Sequence, residues 1–168
     1  MAAVTLYGRI RFLLGHDAPA SVQFVKYAVC GLLATGVHVV CYFLLGWYLF
    51  PCLEQSDPLV RLFGLDAPAM NQAVRARHAV LCNIPTFLLS NAVAYLLNIL
   101  CVFRSGRHSR VKEIAGFSAT ALVSLVVGTG LQWLMVRYAN VATSLAFGVN
   151  ILVSLAINFL VRKFWIFR

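Results

Sequence analysis

The sequence predicts an all-α membrane protein with four transmembrane helices, and three observations lead to this prediction. Four apolar runs of 21 to 25 residues, at 27–49, 79–103, 114–136 and 141–161, contain no Asp, Glu, Lys or Arg. Each run can cross a hydrocarbon layer about 30 Å thick as a helix. The whole chain is 61% hydrophobic and 11% charged, whereas soluble domains average about 25% charged residues. Helices are the expected form because lipid offers no partner to an unpaired backbone group.

The basic residues sort between the two sides of this four-helix arrangement. Ten of the fourteen Lys and Arg residues lie before the first run, between the second and third runs, or after the fourth run. The other four lie in the two remaining connections. Because Lys and Arg are retained in the cytoplasm, both termini are expected there. The net charge of +9 is therefore explained by membrane orientation, and we expect no nucleic-acid partner.

The predicted domain order is a cytoplasmic N-terminal lead at 1–23, followed by a four-helix transmembrane domain at 24–168. The second run ends at a Phe-Arg pair, 103–104, and the sequence closes on another, 167–168. This similarity indicates two repeated helical hairpins. Such a repeat would be parallel, because two crossings restore the orientation of the chain.

The two connections on the predicted outer side differ in length. The first, 50–78, has 29 residues, and Asp66 is expected to cap a short helix there that ends at Arg77. Pro85 is expected to kink the second helix or to mark a boundary within it. The second connection, 137–140, has only four residues, so the third and fourth helices should form a tight antiparallel hairpin.

Catalytic chemistry has no support in the residue pattern. The sequence holds no Gly-rich phosphate loop, no paired carboxylates and no His-rich metal spacing, so we predict a protein that is not an enzyme and needs no cofactor or metal. The five cysteines are interpreted as small packing residues. One alternative stays open, because Cys52 and Cys82 lie near the predicted outer surface, where a disulfide could form.

Neutral polar residues recur at helical spacing inside three of the apolar runs. The positions are Asn83, Thr86, Asn91 and Asn98 in the second run, Thr120, Ser124, Gly128 and Gln132 in the third, and Asn150, Ser154 and Asn158 in the fourth. Residues four apart share one face of a helix. Small and amide side chains often hold membrane helices together, which is one interpretation of these stripes. The other interpretation is a polar route across the membrane.

The candidate binding residues follow from this second interpretation. An amide beside a cationic side chain at the headgroup level makes a good phosphate site. His38, the one His inside the runs, is interpreted either as an interhelical hydrogen-bond donor or as a proton-responsive or sugar-contacting group. Lys26 either extends to lipid headgroups or binds phosphate. The full candidate set is Lys26, His38, Asn91, Asn98, Arg104, Gln132, Asn158, Arg162 and Lys163.

Three segments resemble the GtrA-like family of small membrane proteins. The segment 24–36, FVKYAVCGLLATG, is similar to the opening of the first helix in that family. The segments 98–104, NILCVFR, and 158–168, NFLVRKFWIFR, resemble the end of its second helix and its closing signature. The resemblance covers about 22–168. Two features depart from it, since a basic pair and a Trp are missing before Phe103 and the first outer connection is long.

The resemblance implies a flippase in a bacterial inner membrane. Its substrate would be a polyprenyl-phosphate-linked monosaccharide, moved from the cytoplasmic to the outer leaflet for modification of cell-surface polysaccharide. The polyprenyl tail would stay among the membrane lipids, while Arg75, Arg77 and Arg137 would receive the phosphate outside. A homodimer is expected because four helices hardly enclose a sugar. The alternatives are a scaffold that recruits a glycosyltransferase and a small-molecule exporter, which usually needs a membrane-embedded Glu that the runs lack.

Overall fold

The computed structural model describes residues 19–102 and 110–165, with the backbone alone at 20, 110–117, 120 and 159–165. These residues form five helices and no strand. The helices are α1 (Ala20–Tyr48), α2 (Pro58–Phe63), α3 (Gln72–Cys101), α4 (Arg110–Tyr138) and α5 (Thr143–Trp165). The predicted all-α fold is confirmed.

Three segments are long and apolar enough to cross a membrane, namely Ser21–Tyr48, Gln72–Cys101 and Ala121–Tyr138. A shorter apolar segment, Thr143–Asn158, lies in α5. The four-helix membrane arrangement agrees with these segments, whereas the side of the membrane on which the termini lie stays a prediction.

The long helices pack in chain order, with close contacts between α1 and α3, between α3 and α4, and between α4 and α5. One end of the bundle carries the segments 49–71 and 139–142, and we call it the loop end. The other end, which we call the far end, holds the start of α1 and the end of α3. At the loop end, the Phe147 ring of α5 stacks on Tyr42 of α1, with ring centroids 3.8 Å apart.

Many polar groups lie inside the bundle, and many large apolar groups lie on its outside. One large apolar side chain from each long helix is 63 to 70% exposed, as expected of side chains that face lipid; these are Leu32, Leu88, Val126 and Leu152. The buried residues of α3 are Arg75, Ala76, Ala79, Cys82, Asn83, Thr86, Ser90 and Asn98. This buried face therefore contains no large aliphatic or aromatic side chain. Small and polar residues are the ones that let membrane helices approach and bond.

The helix ends in the long loop have clear local causes. Asp57 caps α2 by accepting a hydrogen bond from Leu59 N at 3.0 Å, and Gly64 ends α2 in the left-handed region at φ 61°, a conformation that glycine adopts without steric penalty. Asn71 caps α3 by accepting from Ala73 N at 2.8 Å. The prediction that Asp66 caps this helix is wrong, because Asp66 lies in the non-helical segment between α2 and α3.

Pro85 and the short connection before α5 are the two remaining features of the membrane helices that the sequence singles out. Pro85 lies inside α3, which continues past it to Cys101, and membrane helices tolerate such a proline; a kink at Pro85 stays a prediction. The tight hairpin between α4 and α5 is confirmed. Its turn places Asn140 at φ 50°, and Val141 N donates to Met135 O at 3.1 Å.

Candidate functional site

Four side chains, one from each long helix, meet in the half of the bundle nearer the loop end. Tyr42, Asn83, Gln132 and Asn150 are at most 5% exposed, and we call them the amide network. Gln132 Oε1 accepts from Asn83 Nδ2 at 2.8 Å and from Asn150 Nδ2 at 2.9 Å. Gln132 Nε2 donates to Tyr42 Oη at 2.6 Å. One glutamine side chain therefore links all four long helices.

A glycine makes room for this network. A Cβ atom at Gly128, one turn before Gln132, would overlap Asn150 Oδ1 and would lie 2.9 Å from Ser154 Oγ. Ser154 Oγ in turn donates to Asn150 Oδ1 at 3.3 Å. The glycine in the polar stripe of the third run therefore has a steric role, because Gly128 lets α5 approach α4 closely enough for side chains to form hydrogen bonds.

His38 lies next to the amide network, one turn before Tyr42 on α1. Its Nδ1 is 3.1 Å from Ser90 Oγ, and its Nε2 is 3.4 Å from Thr86 Oγ1. Its ring also stacks on Phe147, with centroids 5.6 Å apart. This environment supports the interpretation of His38 as an interhelical hydrogen-bonding group, while a role in binding sugar stays a prediction.

The polar residues nearer the far end have fewer partners. Asn91 Nδ2 donates to Ser118 Oγ at 3.0 Å and so links α3 to α4. Asn98 Nδ2 donates to Ala94 O at 2.7 Å within its own helix. The Oδ1 atoms of Asn98 and Asn158 are buried and have no hydrogen-bond partner among the described residues. We call these two atoms the open oxygens, because they can accept a hydrogen bond from a ligand.

The remaining candidates fall at the far end or outside the described part of the chain. Lys26 lies on α1 near its start and is half-buried. Arg162 and Lys163 belong to the last turns of α5, where the structure describes the backbone alone, and Arg104 lies outside the described residues. The structure therefore links His38 and Gln132 only indirectly, since Tyr42, the partner of Gln132, follows His38 by one turn of α1; the binding roles of all nine candidates stay predictions.

A buried ion pair closes the loop end. Arg75 is 0% exposed; it pairs with Glu54 and donates from Nη2 to Asn140 Oδ1 at 2.8 Å. Asp57 Oδ2 accepts from Ser144 N at 2.9 Å. These bonds tie the long loop to the α4–α5 turn. The expectation that Arg75 receives a phosphate does not fit its geometry, since the guanidinium is enclosed and already paired.

Sequence reasoning missed two parts of this site. Tyr42 and Phe147 were missed because an aromatic residue in an apolar run, taken alone, is indistinguishable from a lipid-facing one. The partners of Arg75 also could not be found, because Glu54 and Asn140 are 21 and 65 residues away along the chain. Helical spacing was the one available signal for Tyr42, which follows His38 by four residues and so shares its face of α1.

The fold and the site define a helical membrane protein whose interior carries hydrogen-bonding side chains from end to end. The chain belongs to the family described as GtrA/DPMS, transmembrane domain, which matches residues 26–167. This match extends from the candidate residue Lys26 to beyond Lys163 and confirms the resemblance found in the sequence. The family comprises membrane proteins of polyprenyl-linked sugar translocation. Comparisons with curated proteins and with solved structures returned no match.

Proposed function

We propose that the protein is a flippase for a polyprenyl-phosphate-linked monosaccharide. It moves this lipid from the cytoplasmic to the outer leaflet of a bacterial inner membrane, where the sugar modifies cell-surface polysaccharide. The observation that carries the proposal is the buried face of α3, which stays polar or small from Asn83 to Asn98. Asn98 lies fifteen residues after Asn83, a rise of about 22 Å along the helix, which is most of a hydrocarbon layer about 30 Å thick.

The substrate enters at the far end, which the charge distribution assigns to the cytoplasm. The open oxygens accept hydrogen bonds from sugar hydroxyl groups there. Lys26 and the basic residues Arg104, Arg162 and Lys163 supply the cations that hold the phosphate, because charge-assisted bonds to phosphate are stronger than neutral ones. The polyprenyl chain remains in the lipid, where it needs no binding site of its own.

Movement toward the loop end requires an exchange of hydrogen bonds. Gln132, Asn83 and Asn150 already bond one another, so a passing sugar must replace these bonds with its own hydroxyl groups. Such an exchange is balanced, since amides and hydroxyls both donate and accept. The apolar runs hold no carboxylate to couple transport to protons or sodium. Consumption of the sugar in the outer leaflet therefore provides the direction of net movement.

Transport in proteoliposomes tests this function. Purified protein is reconstituted with a polyprenyl-phosphate sugar, and outside exposure of the sugar is scored with an impermeant oxidising probe. Asn98→Ala and Asn158→Ala should lower transport at least tenfold, whereas Leu100→Ala, a change at a side chain 69% exposed on the outside of α3, should not. Wild-type transport by both asparagine variants in folded protein would contradict the proposal.

A second candidate function is a membrane scaffold that recruits a glycosyltransferase. It is favoured by the amide network, whose groups satisfy one another as structural side chains do. A scaffold needs no polar route. Variants at the open oxygens would then restore polysaccharide modification fully in cells that lack the protein, and wild-type protein would move no sugar lipid in proteoliposomes.

We also propose that the protein works as a homodimer. An apolar groove of about 390 Å³ lies on the outside of α3 and α4 and includes Val80, Ile84 and Gly130. A Cβ atom at Gly130 would meet no neighbour within 4 Å, so this face has room for another helix, and small residues favour such contacts. Crosslinking in bilayers should give dimers, and monomers alone would contradict this assembly.

A further inference from the structure

Cys52 and Cys82 form a buried pair of thiols at the loop end. Cys52 follows α1 and Cys82 lies in α3, and both are 0% exposed. The Cβ position that Gly46 lacks would be 2.9 Å from Cys52 Sγ and 3.9 Å from Cys82 Sγ. Both sulfur atoms therefore lie beside the same space, which stays empty because Gly46 has no side chain. The two thiols also interact with each other.

The surroundings hold this pair in place from several sides. Cys52 Sγ donates to Tyr42 Oη at 3.9 Å, and Cys82 Sγ donates to Phe50 O at 3.7 Å. Thr143 at the start of α5 donates to the carbonyl oxygen of Cys52.

A second pair of cysteines lies at the opposite end of the same helices. Cys30 is in α1, and its thiol interacts with that of Cys101 at the end of α3. In a protein whose helices cross a membrane, the two pairs face different compartments. Disulfides persist on the outer side of a bacterial inner membrane and are rare in the cytoplasm. Both are pairs of thiols, and they differ in redox environment as well as in burial, since Cys101 is exposed.

We propose that Cys52 and Cys82 form a disulfide in the mature protein, while Cys30 and Cys101 remain thiols. The oxidant is the disulfide of a thiol–disulfide oxidoreductase in the outer compartment. The Cys52 thiolate attacks that disulfide and expels one of its sulfurs; the Cys82 thiolate then attacks the mixed disulfide and expels the other. The S–S bond forms as two protons leave the cysteines and two electrons reduce the oxidoreductase to its dithiol.

The exchange takes place before the segment 49–57 packs, because both sulfurs are enclosed in the folded chain. The resulting bond joins the segment after α1 to α3 immediately beside Tyr42. It also removes the thiol hydrogen that Cys52 directs at Tyr42 Oη, so that Gln132 becomes the remaining described hydrogen-bond partner of this hydroxyl. The disulfide thereby secures the loop end of the amide network.

Counting thiols in the full chain tests the proposal. Membranes are quenched in acid, denatured and treated with a maleimide polymer, with and without prior reduction. Three of the five cysteines should react before reduction and five after it, and peptide mass analysis should place the bond between Cys52 and Cys82. Five reactive thiols before reduction would overturn the proposal, as would a bond between Cys30 and Cys101, which would also reverse the predicted orientation.

Two variants make the count specific. Cys82→Ser should leave four reactive thiols both before and after reduction, because Cys52 loses its partner. Cys41→Ser, which removes a cysteine outside both pairs, should give two before reduction and four after it. An unchanged difference of two thiols in the Cys82→Ser protein would overturn the assignment. The readout needs denatured protein and no transport activity, so it is independent of the proposed flippase function.

Discussion

The two halves of the bundle use the same residue types in different ways. Near the loop end, the amide of Gln132 bonds Asn83, Asn150 and Tyr42. Nearer the far end, Asn98 is equally buried at 4% exposure, yet it contributes one of the open oxygens. A buried carbonyl left without a partner costs about 1–3 kcal/mol. Hydrogen-bond partners, and not composition or burial, therefore separate a structural amide from a candidate binding amide.

The largest effect is expected at the ion pair that closes the loop end. Arg75→Ala leaves Glu54 and Asn140 without their buried cationic partner and should lower the free energy of unfolding by about 3–5 kcal/mol. Thermal unfolding in detergent measures this loss. Arg77→Ala, two residues away at an exposed position, should unfold like wild type. Equal melting temperatures for the two variants would show that Arg75 does not stabilise the loop end.

A smaller effect is expected from filling the space at Gly128. Gly128→Val would push against Asn150 and Ser154, and forced overpacking typically costs about 1–3 kcal/mol. The same unfolding assay measures it, with Gly36→Val as the control, since a Cβ at this exposed position of α1 meets open space. A Gly128→Val protein as stable as the control would mean that α4 and α5 can separate without loss.

Removing the centre of the amide network should have an effect of similar or slightly smaller size. Gln132→Leu keeps much of the side-chain volume and removes three hydrogen bonds. Bonds between membrane helices average about 0.6 kcal/mol each, with larger values near 1.7 kcal/mol, so a loss of about 2 kcal/mol is expected. The lipid-facing change Leu134→Ala is the control. Unfolding of the Gln132→Leu protein at the wild-type temperature would remove the network's structural role.

The same substitution at the far end should change stability least. Asn98→Leu removes an open oxygen, which relieves the cost of an unpartnered carbonyl, and one hydrogen bond within its own helix, which offsets that gain, so this variant should unfold no more readily than wild type. Direct comparison with Gln132→Leu in the unfolding assay sharpens the contrast between the two halves. A destabilisation as large as that of Gln132→Leu would show that Asn98 is a structural amide as well.

The sequence predicts the helices better than it predicts their contacts. Uncharged runs identified the long helices, and the four-residue connection identified the α4–α5 hairpin, because these depend on local composition alone. The stripe that ends at Gln132 correctly indicated a face of α4 that turns inward. Asp66 was a plausible cap, but Asn71 lies directly before the helix and bonds it.

The site depended on information that no local pattern carries. Gln132 stood out as an amide in an apolar run, whereas the stacking of Phe147 between α1 and α5 depends on how distant helices pack. The enclosure of Arg75 likewise depends on the path of the long loop. Local patterns therefore identified polar groups in the membrane, and only the packing shows which of them have partners.

The most direct measurement is the rate at which the Asn98→Leu protein moves a polyprenyl-phosphate sugar across proteoliposomes. The rate is compared with those of wild type and Leu100→Ala. The three proteins should have similar melting temperatures, so that a difference in rate does not reflect a difference in folding. If the open oxygens receive the sugar, Asn98→Leu should transport at least tenfold more slowly while the control keeps the wild-type rate. Transport at the wild-type rate by stable Asn98→Leu protein would contradict the assignment of substrate binding to the far half of the bundle.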